Sequence, residues 1–259
     1  MCKDCGCKEG LKLKRHKQDH EHGHKHVHLH NHDHDHDHKH EHHQDHGRRI
    51  VLEKNVLAHN DEIAHNNKHW FEDHNIKVIN IISSPGSGKT TLLEKTVEIL
   101  KEKTKLSILV GDQETDHDAQ RLLNKGANVK QINTYSSCHL DAQMIAKELG
   151  GFISGEEKLL IIENIGNLVC PAAFDLGEDH KVAILSTTEG EDKPVKYPVL
   201  FNEASVVLIT KMDLAPHLDW DLEKTKVYIR QVNPKAKIIE LSAKSGQGLD
   251  EWANWLLSI

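Results

Sequence analysis

The segment Ser83 to Thr90 reads SSPGSGKT, with glycines, a lysine and a hydroxyl residue at the spacing of a phosphate-binding loop. Ser83 stands where the first glycine of that pattern is usual. The residue types follow from the ligand. Pro85, Gly86, Ser87 and Gly88 leave room for backbone N–H groups to close around phosphate oxygens, and the start of a following helix adds partial positive charge. Lys89 is placed to reach the β- and γ-phosphates, and Thr90 to set its hydroxyl on Mg2+, with Thr91 completing the phosphate-side set.

The base is read further along. Thr210-Lys211-Met212-Asp213, TKMD, closes an apolar run. A carboxylate at Asp213 can accept hydrogen bonds from N1–H and the C2 amine of guanine, whereas adenine presents an acceptor at N1 and no amine at C2 and would leave it unpaired. Mismatches of that kind discriminate by factors of about 10⁴ to 10⁵. The Lys211 stem can lie along the base, and Ser242-Ala243-Lys244 can supply a backbone donor to O6. GTP is therefore expected over ATP. Two acidic groups complete the candidate catalytic set with Lys89. Glu163, in ENIG, ends a buried run where it can hold Mg2+ through water, and Gly166 can offer its N–H to a γ-phosphate. Asp112 is a second acid at such an end, and either Asp112 or Asp116 can orient metal or water, Asp116 alternatively starting the next helix.

Softer ligands sit nearby in sequence. Cys138-His139 precedes DAQMIAKELG, and Cys170 lies four residues beyond Gly166. Two thiolates with one imidazole suit Zn2+ or Ni2+ rather than Mg2+ or Ca2+. Three protein ligands are one short of a structural zinc, so a symmetry mate completes the set or the site stays open for exchange. Cys170 rides on the segment expected to move when the γ-phosphate leaves. Cys2, Cys5 and Cys7, in MCKDCGC, can converge around Gly6 on a tetragonal Ni2+ or a tetrahedral Zn2+; both remain open. Residues 16–46 hold an imidazole at nearly every second position, many overlapping sites of modest affinity for several transition ions.

These side chains need a scaffold, and the apolar pattern supplies one. Runs at 76–82, 106–111, 128–132, 158–163, 181–187, 205–210 and 236–242 read as strands. Helical patterns lie between most of them, and LDEWANWLLSI closes the chain. That alternation predicts an α/β fold: a mostly parallel sheet flanked by helices, with ligands at the carboxyl ends of the strands. Leu52, Val56, Ile63, Trp70 and Phe71 predict one or two amphipathic helices across 48–74. Before them, large apolar residues are scarce beyond Leu11, Leu13, Val27 and Leu29, which predicts a disordered tail. The expected organisation is a metal-binding tail at 1–47, a helical segment at 48–75 and a nucleotide domain at 76–259.

With 33 Lys and Arg against 40 Asp and Glu, scattered rather than clustered, the footprint of a nucleic-acid binder is missing. The sequence shows no apolar stretch of membrane-spanning length and no signal-peptide core, so a cytoplasmic protein is expected. Five cysteines in 259 residues, three of them among the first seven, fit a reducing compartment and ligand duty.

Together MCKDCGC, the histidine tract, SSPGSGKT, GDQETDHDAQR, Cys138-His139, ENIGNLVCP, EGEDKPVKYP and TKMD resemble the HypB family, the nickel-incorporation GTPases of [NiFe]-hydrogenase maturation. The related urease GTPases typically keep Cys, Pro and His contiguous, unlike this chain. The resemblance implies a P-loop GTPase of the SIMIBI type that dimerises with GTP or metal. It also implies Ni2+ or Zn2+ at Cys138, His139 and Cys170 near the subunit interface, and tight Ni2+ at Cys2, Cys5 and Cys7. Implied partners are a small Ni/Zn accessory protein and the hydrogenase large-subunit precursor. Leu214 and Leu218, apolar in a loop after TKMD, are candidates for an isologous dimer patch or for ordinary packing.

Overall fold

The computed structural model describes residues 43–113 and 116–259, with side chains described from residue 55 onward. The seven predicted strands all form: β1 (Lys77–Ser83), β2 (Leu106–Asp112), β3 (Asn128–Asn133), β4 (Leu159–Glu163), β5 (His180–Ser186), β6 (Ala204–Thr210) and β7 (Lys237–Glu240). They make one sheet in the order β3-β2-β4-β1-β5-β6-β7. Every neighbouring pair is parallel, so the sheet is wholly rather than mostly so. The central β1 and β4 are buried on both faces, which is why KVINII and LLIIE are almost unbroken apolar runs. At the edge, the NVKQIN of β3 alternates between exposed and covered positions.

Helices cover both faces. α1 (His43–Asp73) precedes the sheet; α2 (Lys89–Leu100), α3 (His117–Leu123), α4 (Ala142–Phe152), α5 (Cys170–Ala173), α6 (Lys193–Lys196), α7 (Pro198–Glu203), α8 (Leu222–Val232) and α9 (Leu249–Ser258) follow in turn. On one face, Leu92, Leu93 and Val97 of α2 and Trp252 and Leu256 of α9 pack on Ile79, Ile81, Ile108 and Ile161. The indole Nε1 of the buried Trp252 donates to Thr96 Oγ1 of α2 at 2.9 Å. On the other face, Phe71 of α1 and Ile145 and Leu149 of α4 pack on Val78, Leu109 and Ile162. Leu200, Phe201 and Ile229 from α7 and α8 cover Ile82, Val207 and Ile209. The two-residue period of a strand explains the division: Ile79 and Ile81 look one way, Val78 and Ile82 the other.

The N-terminal segment is one helix of 31 residues, within the expected one or two, and it starts at His43, five positions before the expected boundary. Neither Gly nor Pro interrupts it between Arg48 and Asp73, and towards its start it continues through Gly47. The stretch after TKMD is not a plain loop but a 3-10 turn over Met212–His217. Among the described residues, no helix is long and apolar enough to cross a membrane.

Candidate nucleotide and metal site

Four strand ends deliver the candidate residues to one edge: Ser83 closes β1, Asp112 β2, Glu163 β4 and Thr210 β6. The loop after β1 turns through Gly86 and Gly88, both in the left-handed region at φ +71° and +100°, which residues with a Cβ adopt only with strain. Gly88 then caps α2, so the loop ends where the helix exposes its first N–H groups.

Ser83, the departure from glycine, has a definite role. Its Oγ accepts from Lys89 Nζ at 3.0 Å and from Ser87 Oγ at 2.5 Å, and donates to the Ser84 carbonyl at 2.8 Å. The lysine is thereby held against the loop. Burial pulls the Lys89 pKa below its ordinary value, opposed by the negative charges of Glu163, Asp118, Glu189 and Asp112. A phosphate arriving here would meet an amine already desolvated by folding.

Thr90 Oγ1 donates to Glu163 Oε1 at 2.7 Å. Glu163 is 2% exposed, and its Oε2 has no hydrogen-bond partner among the described residues. Burial pushes this carboxyl up to about 7, with the Thr90 hydrogen bond and the Lys89 charge acting against the rise. A buried carboxylate oxygen without a partner, beside a hydroxyl, is a donor set suited to Mg2+. Asp112 belongs to the same field through its effect on Lys89, and its Oδ1 accepts from Gln113 N at 2.5 Å. Asp116 occupies the N-cap position of α3 without a capping hydrogen bond from its side chain.

A cavity of about 240 Å³ opens beside the loop, lined among others by Ser87, Thr91, Lys211, Asp213, Ala243 and Lys244. Its floor is tied together from several strands. Lys211 sits in the left-handed region at φ +59°, uncommon for a residue with a side chain, and its Nζ donates to the Gly86 carbonyl at 2.7 Å. Thr210 Oγ1 donates to the Ser87 carbonyl at 2.9 Å, and Ser242 Oγ to Asp213 Oδ1 at 2.6 Å. TKMD, the phosphate loop and SAK are therefore one assembly.

The soft ligands also converge. The Cys138 and Cys170 sulfurs are 3.0 Å apart as free thiols, and Cys138 Sγ lies 3.9 Å from His139 Nδ1. The three candidate ligand atoms fall within 4.8 Å of one another. His139 is buried, its ring against Phe174 at 3.9 Å between centroids. Cys170 opens the short helix α5, with Pro171 fixing the first turn.

A link between the two sites runs through side chains that sequence reasoning did not single out. Asn164, directly after Glu163, accepts from Leu140 N at 3.3 Å and donates to Asn80 Oδ1 at 3.2 Å; Asn80 in turn donates to Glu178 Oε1 at 3.1 Å. Asn167 Nδ2 donates to the Cys138 carbonyl at 3.3 Å. Gly166 presses on the phosphate loop so closely that a Cβ there would stand 2.9 Å from Pro85 Cα. Glu189 accepts from Ser84 Oγ at 2.7 Å and was likewise unforeseen. The one available signal was the lone polar residue, Asn80, inside the apolar run KVINII. Cys2, Cys5 and Cys7, and the histidine tract as far as His42, lie outside the described residues.

A wholly parallel sheet with SSPGSGKT between its central strand and the next helix defines a P-loop nucleotide-binding protein. Residues 77–240 match the family model for the CobW/HypB/UreG nucleotide-binding domain. Hydrogenase maturation factor HypB of Azotobacter chroococcum is 52% identical over 209 residues, covering 81% of this chain and 68% of that protein. The crystal structure of HypB from Archaeoglobus fulgidus aligns with TM-score 0.73 at 39% identity, over 78% of this chain and 98% of that one. HypB from Helicobacter pylori, solved in complex with nickel, aligns with TM-score 0.72 at 38% identity, over 77% and 94%. The chain belongs to the HypB family of hydrogenase maturation factors.

Proposed function

We propose that this chain is a GTP-hydrolysing metallochaperone that binds, stores and delivers Ni2+ for [NiFe]-hydrogenase maturation, with nucleotide state gating the transfer. One observation carries the reading: the strand end that carries Glu163 and Gly166 is hydrogen-bonded through Asn164 and Asn167 to the Cys138-His139-Leu140 segment, and reaches Cys170 on its own chain. In this reading a shift of Gly166 off Pro85 would be passed to ligands of the thiolate cluster. Such coupled movement would supply the differential affinity that gating requires.

In this reading Pro85, Gly86, Ser87, Gly88, Lys89, Thr90 and Thr91 hold the phosphates and Gly166 senses the last of them. Thr210, Lys211 and Asp213 hold guanine with Ser242, Ala243 and Lys244. Because Ser242 N already donates to the Gln247 carbonyl at 2.9 Å, the O6 donor falls to Ala243 or Lys244. Thr90 and Glu163, with Asp112, would hold Mg2+, which when bound neutralises charge on the β- and γ-phosphates. Lys89, Glu163 and Asp112 would be the catalytic groups. Cys138, His139 and Cys170 would take Ni2+ or Zn2+, with a symmetry mate or exchangeable ligands completing the coordination. Residues 1–47 would be a metal-holding segment, with Cys2, Cys5 and Cys7 as a second Ni2+ or Zn2+ site, 48–75 a helical connector and 76–259 the GTPase unit.

The HypB structure from Helicobacter pylori that holds nickel supports the choice of cargo. The hydrogenase precursor and a small Ni/Zn accessory protein would be the partners, and a GTP- or metal-favoured homodimer the working form. The experiment is a Ni2+ titration of the full chain and of Cys138→Ser, each with GDP and with a non-hydrolysable GTP analogue. The difference between the two proteins isolates the site and should change with nucleotide. If it is the same with both nucleotides, gating is wrong and the protein is at most a nickel store.

A further inference from the structure

Helix α1 carries metal-affine side chains that neither the nucleotide cavity nor the thiolate cluster uses. His65 and His69 lie one turn apart on its exposed side, with their Nε2 atoms 3.0 Å apart and their rings edge to face. On the far side of His69, Nδ1 is 3.3 Å from Glu72 Oε2. A carboxylate there favours the tautomer with its N–H on Nδ1, which leaves the lone pair on Nε2, facing His65. This is the arrangement by which a carboxylate sets the tautomer of a metal-binding imidazole.

The separation carries further information. Two imidazole nitrogens each about 2.1 Å from one ion are about 3.0 Å apart at a right angle and about 3.4 Å apart at the tetrahedral angle. The two nitrogens are hydrogen-bonded to each other at 3.0 Å, so they already stand at the separation of neighbouring corners of a square or octahedral ion, and an ion entering between them would replace that hydrogen bond. The backbone beneath the pair is already fixed. Asn60, Ala64, Asn67 and Phe71 are buried on the other side of the same helix. Asn67 Nδ2 donates to the carbonyls of Ala142 and Leu176 at 2.8 and 3.1 Å, and Asn60 Oδ1 accepts from Ala142 N at 2.9 Å. An arriving ion orders two side-chain rotamers and no backbone. The same two asparagines hold the first residue of α4, the helix that follows the Cys138-His139 segment.

We propose that His65 and His69, oriented by Glu72, form an exchangeable site for one divalent transition ion, Ni2+ foremost, separate from the Cys138, His139 and Cys170 cluster. It does not rest on GTP hydrolysis or on nucleotide gating. Water fills the remaining corners, so the ion can pass on by ligand exchange.

The test is carbethoxylation of histidines by diethyl pyrocarbonate at about pH 7.5, where imidazoles are mostly neutral. It uses the full chain with and without saturating Ni2+ alone, and reads each histidine by peptide mass spectrometry. Ni2+ should protect His65 and His69 together, several-fold. His65→Ala should return His69 to its metal-free rate, and His69→Ala should do the same for His65. Glu72→Ala should raise the Ni2+ concentration for half-protection about tenfold or more. Reactivity unchanged by Ni2+ at either histidine overturns the site. So does protection of one that survives removal of the other, since shielding by another surface, not a shared ion, would then be the cause. The three side chains face solvent, so none of these changes threatens folding.

Discussion

Asp213 and Glu163 are both carboxylates at strand ends, and their surroundings assign them different work. Asp213 lines the cavity and accepts from the Ser242 hydroxyl, and in the proposed reading it would accept two hydrogen bonds from guanine. Asp213→Asn replaces one of its two accepting oxygens by a donor, so GTP affinity should fall by about 10² to 10⁴, read by nucleotide titration. Glu163 is buried, and its raised pKa has a sign that can be followed. Between about 4.5, its unfolded value, and about 7, the folded state holds a proton that the unfolded chain has released, so stability falls as pH rises through that window. The loss is on the order of 3 kcal/mol and is complete above the folded pKa. Glu163→Gln should therefore melt higher than the parent at pH 8 without metal or nucleotide, the gap closing towards pH 4. The same variant should lose about 10² or more in hydrolysis rate with Mg2+ present. Glu178, also raised to about 7 by burial and by Asp175, is present in both proteins and cancels in the comparison.

Between β4 and α5 the chain does two jobs in eight residues. Glu163 and Gly166 face the phosphate loop, Asn164 and Asn167 hold the Cys138 segment, and Cys170 joins the cluster. Asn164→Ala would strand Leu140 N and Asn80, costing about 1 to 3 kcal/mol for each buried group left unpaired, read by denaturant unfolding. In the same variant Ni2+ affinity at Cys138 should lose its dependence on nucleotide while GTP still binds. Gly166→Ala drives a methyl group into Pro85, and should lower stability by about 1 to 3 kcal/mol and slow hydrolysis. The strands were legible because a parallel sheet covered on both faces demands apolar runs, and SSPGSGKT and TKMD because ligand chemistry restricts residue type. Asn164 was not, because its partners Asn80 and Leu140 stand 84 and 24 residues away and polar residues carry no period. α6 and α7, of four and six residues with Pro near each start, are too short for a helical period to show. The Cys138 and Cys170 pairing could be suspected from softness but located only by the fold.

At the scale of the molecule, the cavity edge is where a second copy would matter. Leu214 lines the nucleotide cavity, and Leu218 is 38% exposed just beyond it. An isologous patch there would place GTP and dimer contact on one short turn. Leu218→Ala should weaken GTP-dependent dimerisation, measured by sedimentation, with nucleotide affinity nearly unchanged. A different convenience comes from the far end of the chain. Because the Trp252 indole donates a hydrogen bond to Thr96, less than two turns from Lys89 along the same helix, a change at the loop on nucleotide binding would reach a native fluorophore. A shift in ultraviolet emission would then report nucleotide arrival in unlabelled protein, and Trp252→Phe would silence it.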